Sequence, residues 1–146
     1  MKFFLKLNLM SILYALFLFI PIELMMNVYR IDRLTGWGIG TVNTVMGVSF
    51  IVVFVFFTIL LVFLTNRWMN GRKAAYWTTV LWLPYFISFI YAFAWLFPIT
   101  YGGDDPNPVT GLLSLGAMMV YPFFILIILF IGLENASKRR IEGDVS

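Results

Sequence analysis

The sequence predicts an all-α membrane protein, with four transmembrane helices in an antiparallel bundle and both termini cytoplasmic. Three observations carry this reading. Four apolar blocks, residues 7–28, 42–64, 75–97 and 112–133, are each 22 or 23 residues long, and about 20 helical residues rising about 1.5 Å each cross a hydrocarbon core roughly 30 Å thick. Apolar residues make up 62% of the 146 and charged residues 12%, about half the charged share of soluble proteins. Finally, eight of the ten basic residues (Lys2, Lys6, Arg67, Arg72, Lys73, Lys138, Arg139 and Arg140) fall in the first, third and fifth connecting segments, against Arg30 and Arg33 in the other two. The positive-inside rule then places both ends in the cytoplasm. A barrel is excluded because residues 51–64, IVVFVFFTILLVFL, show no alternation of polarity.

The first block follows a basic stretch and imitates a signal peptide. Its apolar run exceeds an h-region of about 7–15 residues and no A-x-A-like site follows, so an uncleaved first helix is expected. Near its end lies Glu23, about 7 Å below the edge of the block at helical rise. An ionisable group at membrane depth is costly and is a functional candidate by default. A carboxylate here is suited to bind a cation or exchange a proton, with Pro21 freeing a backbone carbonyl one turn earlier. The structural alternative pairs Glu23 with Arg30, two turns up the same face, or with Arg33.

The second connection, residues 29–41, reads as a loop carrying Gly36, Gly38 and Gly40. Its spacing is not G-x-G-x-x-G and no strand precedes it, so a dinucleotide site is rejected in favour of a flexible loop at lipid headgroups. The second helix follows, with Gly40 and Gly47 a heptad apart. The short connection from Asn66 to Lys73 predicts that helices two and three are antiparallel neighbours. Helix three is aromatic, and Trp68, Tyr76 and Trp77 at one boundary with Tyr29, Trp37, Trp95 and Tyr101 at the other form the two belts expected of interfacial aromatics.

Residues 98–111 form a turn-rich connection with three prolines and the pair Asp104–Asp105. Two carboxylates without EF-hand spacing are weak evidence for calcium, and a solvated turn is expected. Helix four opens with Gly111, Ser114 and Ala117 on one face, a packing signal that serves the bundle, a second copy or a foreign subunit. The tail, residues 135–146, is polar and expected to be mobile. Lys138, Arg139 and Arg140 in it are candidates for headgroup contact, although three basic residues fall short of a dedicated cluster of about four to eight. Pro21, Pro84 and Pro122 lie inside three of the blocks as possible hinges.

Absent residues narrow the function. The chain has no His and no Cys, so Ser-His-Asp and Cys-His catalysis, thiolate metal sites and His-held haem or zinc are excluded. No enzyme activity, cofactor or metal is expected. The expected partners are the bilayer and either another membrane protein or a second copy, with no nucleic acid. The leading expectation is a small polytopic protein of the cell membrane, of bacterial cytoplasmic-membrane type. It would act without catalysis, as an accessory, regulatory or immunity-type subunit of a membrane complex. A lipid-handling or scaffold role is a further class.

The alternative is a small homo-oligomeric transporter coupled to a cation or drug through Glu23. Four spans with a carboxylate in helix one resemble the small multidrug-resistance exporters, which work as dimers around such a glutamate. The resemblance rests on helix count and Glu23 alone. It departs in length, in the shallow depth of the carboxylate and in the residues around it, and no family is assigned.

Overall fold

A backbone surrounded by lipid has only itself to hydrogen-bond to, and a chain this apolar satisfies that demand with helices. The computed structural model describes residues 2–69 and 72–145, with the side chains of 139–145 excepted. Among the described residues five α-helices form: α1 (Lys2–Met26), α2 (Val28–Thr35), α3 (Ile39–Trp68), α4 (Thr78–Leu96) and α5 (Pro108–Val145). Short 3-10 turns, Lys73–Trp77 and Gly102–Asp104, precede α4 and α5. No strand occurs among the described residues. Four segments are long and apolar enough to cross a membrane: Lys2–Met26, Ile39–Trp68, Lys73–Leu96 and Pro108–Lys138. The protein is a multi-pass membrane protein.

Two helices outrun their apolar blocks, whereas α1 ends at Met26, two residues before the block at 7–28 does, and α4 covers only 78–96 of the block at 75–97. The block at 42–64 sits inside a helix of 30 residues, and the block at 112–133 inside one of 38. The tail after residue 133, expected to lie outside the helix, continues it to Val145, held in part by an i,i+4 pair between Lys138 and Glu134 at 2.8 Å. Hydropathy marks where lipid begins; it does not mark where backbone bonding ends. Pro21, Pro84 and Pro122 all lie inside α1, α4 and α5 without ending them.

α1 is the centre of the arrangement. Its most apolar window is 39% buried, against 11% for the same measure in α3 and α4. It packs most extensively on α4, then on α3, and α3 in turn packs on α5. The expectation that helices two and three are neighbours is corrected: α3 and α4 barely touch. In the connection between them, Met69 and Ala75 are both fully buried. Polar and aromatic ties give the sense of the α1–α4 contact. Asn8 meets Tyr85, Phe19 meets Phe89 and Phe93, and Arg30 meets Phe97. Sequence number rises along both partners, so these two helices run in the same direction.

Without a hydrophobic force between helices in lipid, close packing and hydrogen bonds hold them together. Phe17 is the aromatic hub, with ring centroids of Phe54, Phe57, Tyr121 and Phe124 at 5.9, 5.4, 6.1 and 5.2 Å. Tyr121 donates its hydroxyl hydrogen to the Tyr14 carbonyl, joining α5 to α1. α3 and α5 come into close contact at Gly132, where an added Cβ would lie 2.6 Å from Thr65 Cβ.

Candidate functional site

The polar groups gather where α1 gives way to α2. Asn27 separates the two helices and bonds to both, from Asn27 N to the Glu23 carbonyl at 3.0 Å and from Ile31 N to the Asn27 carbonyl at 2.9 Å. The segment VYRIDRLT is polar on one side and apolar on the other, and it forms a helix where a loop was expected. Gly36 ends it in the left-handed conformation, φ 66°, donating its N–H to the Asp32 carbonyl. Gly38, at φ 80°, turns the chain into α3. These two glycines therefore set backbone direction, a use that favours glycine at positive φ.

Glu23 is half-buried near the end of α1. Its carboxylate accepts a hydrogen bond from Asn27 Nδ2 at 3.1 Å, and the same amide donates to the Glu23 carbonyl at 2.9 Å. Neither Arg30 nor Arg33 forms an ion pair with it, which corrects the expected pairing. The physical reason lies in the competing acceptors. α4 ends at Phe97 with carbonyls that its own helix leaves without donors, and Arg30 Nη1 donates to the Phe97 carbonyl at 2.8 Å. Arg33 is taken by Asp104, with Nε to Oδ1 at 2.8 Å and Nη2 to Oδ2 at 2.7 Å. The Arg33 guanidinium also lies over the Tyr101 ring, 5.2 Å from its centroid.

Those two hydrogen bonds, with the charge of Arg33 behind them, hold the Asp104 carboxyl below its usual range although burial pulls it upward. The reciprocal bond raises Arg33. Asp104 is thus committed to an arginine and is not a solvated turn residue, while Asp105 beside it is exposed. Among the described residues no group of three His, Cys, Asp or Glu side chains stands close enough to hold a metal ion.

Two clefts flank Glu23, of about 390 and about 400 Å³, and share Glu23, Asn27, Phe93 and Phe97 as walls. Phe19, Ile20 and Arg30 complete the first, and Met26, Ile90 and Pro98 contribute to the second. Both lie between the end of α1 and α4, the first continuing along α2 and the second reaching the connection after α4. Their walls are apolar apart from the Glu23, Asn27 and Arg30 groups.

The remaining candidates scatter. Gly40, Gly47 and Gly111 have nothing within 4 Å of the place a Cβ would occupy, so none makes a close contact inside the chain. Ser114 is buried and donates to the Thr110 carbonyl at 2.9 Å. Ala117 is exposed beside a separate cleft of about 280 Å³ next to Phe54 and Phe124. The Lys138 ammonium is paired with Glu134, and the Arg139 and Arg140 side chains lie outside the described residues. Three contacts escaped the sequence reading, those made by Asn27, Gly132 and Tyr101, the last read there only as a belt aromatic. Asn27 is four residues from Glu23, a spacing that brings side chains together on a helix. Gly132 is a lone glycine in an apolar helical run, which signals close approach. Tyr101 carried no local signal. Compared with protein-family models, with curated proteins and with solved structures, the chain matches none.

Proposed function

We propose that the protein is a non-enzymatic subunit of a membrane complex, with an accessory, regulatory or immunity-type role in a cell membrane of bacterial cytoplasmic type. Successive spans alternate in direction and both termini lie in the cytoplasm, as the distribution of Lys and Arg favours. The observation that supports the role is one face of α3. Gly40, Asn43, Thr44 and Gly47 recur at helical spacing i, i+3, i+4 and i+7, and all four are exposed. No atom approaches the Cβ positions of either glycine. A face of small residues with an amide lets a second helix come close and bond across the gap. The transporter alternative draws on Glu23, whose side clefts are largely apolar and lie between α1 and α4.

The chain has no cysteine, so single cysteines report cleanly on neighbours. With Thr44→Cys in the full chain at native expression, cross-linking in the membrane is expected to capture one discrete partner. Gly47→Ile is expected to abolish the capture while leaving the monomer folded. Recovery of an uncross-linked monomer from mild detergent and from membranes alike overturns the reading. Glu23→Gln tests the alternative, which fails if proton-coupled uptake or drug resistance is unchanged.

A further inference from the structure

We propose that the cleft between α1 and α4 binds one amino-phospholipid, its phosphate on Arg30 and its primary ammonium on Glu23. The cleft is built for a molecule with an apolar body and two opposite charges. Its walls are Phe19, Ile20, Phe93 and Phe97, and its only charged groups are Glu23 and Arg30. These two do not neutralise each other, since each is held elsewhere: Glu23 by the Asn27 amide, Arg30 by the Phe97 carbonyl.

Neither hold exhausts its group. A carboxylate has about four acceptor positions and a guanidinium five donors. Asn27 occupies an acceptor of Glu23, and the Phe97 carbonyl engages the Nη1 nitrogen of Arg30. The remaining positions are available to a ligand in the cleft.

Spacing and depth fit the same occupant. Seven residues separate Glu23 from Arg30, about 10 Å if the rise is that of a helix, and backbone bonds from Asn27 N to the Glu23 carbonyl and from Ile31 N to the Asn27 carbonyl carry the chain across the break at Asn27. A phosphate and an ammonium two carbons apart, with a hydrogen bond of about 2.8 Å at each end, span a gap of that order. Arg30 lies beyond the end of the apolar block, where phosphates reside, and Glu23 lies about two turns deeper, within reach of an ammonium folded inward. The acyl chains continue down the Phe19 and Ile20 wall. A phosphocholine lipid has no N–H to give Glu23, and a phosphoglycerol lipid has no positive charge, so headgroup preference follows from the residues.

Native mass spectrometry of the full chain, released from vesicles holding equal amounts of phosphatidylethanolamine, phosphatidylcholine and phosphatidylglycerol, tests the proposal. The ethanolamine lipid is expected as a single retained molecule, favoured about tenfold over the other two, the scale of one charge-assisted hydrogen bond. Glu23→Gln is expected to erase that preference while phospholipid is still retained. Arg30→Gln is expected to reduce retention of all three. Ile20→Trp, which fills the cleft and leaves both charges in place, is expected to displace the lipid and gives a variant independent of any folding defect at Glu23. Equal retention of the three lipids by the unaltered chain overturns the proposal. So does an ethanolamine preference that survives Glu23→Gln, or a long-chain alkylamine without phosphate held as tightly as the phospholipid. None of these outcomes depends on whether the α3 face finds a protein partner.

Discussion

Arg33 grips Asp104 through two parallel hydrogen bonds, 2.8 and 2.7 Å long, across 71 residues of sequence. The contact ties α2 to the connection that leads into α5. Only 3% of the Asp104 side chain is accessible, while 45% of Arg33 is. The fork geometry gives the pair direction as well as charge.

The pair is expected to open in acid. The folded value of Asp104 lies below its free value, so its contribution is complete above the free value of about 3.9 and fades as pH falls through the lower, folded value. Spin labels on Thr35→Cys and Asp105→Cys are expected to keep a constant separation from neutral pH to about pH 5, then to move apart below about pH 3.9. Arg33→Gln is expected to produce the wider separation at neutral pH. Arg33→Lys keeps the charge and loses the fork, so it should fall between the two. A separation that ignores both acid and Arg33→Gln contradicts the tether.

The two buried tyrosines should respond oppositely to loss of their hydroxyls. Tyr121 donates to the Tyr14 carbonyl. The Tyr14 hydroxyl is fully buried beside Thr65 and reaches no hydrogen-bond partner among the described residues. Tyr121→Phe is expected to cost about 0.6–1.5 kcal/mol, the range for one hydrogen bond inside a membrane protein. Tyr14→Phe is expected to be neutral or stabilising, because it removes an unpaired polar atom. Unfolding midpoints in detergent order the variants, and a Tyr14→Phe variant weaker than Tyr121→Phe reverses the argument.

Glycine at 132 is required by space. An added Cβ there would stand 2.6 Å from both Cβ and Cγ2 of Thr65, short branched atoms that cannot swing aside. Gly132→Ala is expected to cost about 1–3 kcal/mol by forcing α3 and α5 apart. Gly116, on the same helix, has open space around it, and Gly116→Ala is expected to be neutral or slightly stabilising through helix propensity. Equal melting shifts for the two variants would remove the close approach at Thr65 from the account.

Much of this architecture was legible because lipid imposes a simple rule. The demand for internal backbone bonds turns every long apolar block into a helix, and each of the four blocks falls wholly or almost wholly on a membrane-spanning segment. Neighbour choice was not legible. A short connection suggested that α3 and α4 pack together, yet Phe17 and its ring partners fill the space beside α1, and α4 takes the other side of that helix. Charge pairing misled for a related reason. Arg30 stands two turns above Glu23, but the unbonded carbonyl at the end of α4 comes from a segment 67 residues away, and no local pattern announces it. Asn27, by contrast, was readable from its i+4 spacing.

Phe17 carries the last test. Its side chain is buried, 6% exposed, and touches rings from both α3 and α5. Lipid tails solvate an exposed Phe about as well as a neighbouring Phe does, so its value lies in ring geometry and dense contact. The Phe57 ring lies parallel at 4° and the Tyr121 ring is tilted at 67°, arrangements worth roughly 0.5 kcal/mol or more per pair. Phe17→Leu keeps most of the volume and loses the ring contacts, and is expected to cost about 1 kcal/mol. Phe17→Ala also leaves a void that joins the neighbouring clefts beside Pro21, and is expected to cost on the order of 2 kcal/mol or more. Cross-linking between cysteines placed at residues 17 and 124 is not needed to see this: unfolding midpoints suffice, and Phe17→Ala must fall below Phe17→Leu. If the two variants unfold together, the hub is only a filler and α1 owes its central place to other contacts.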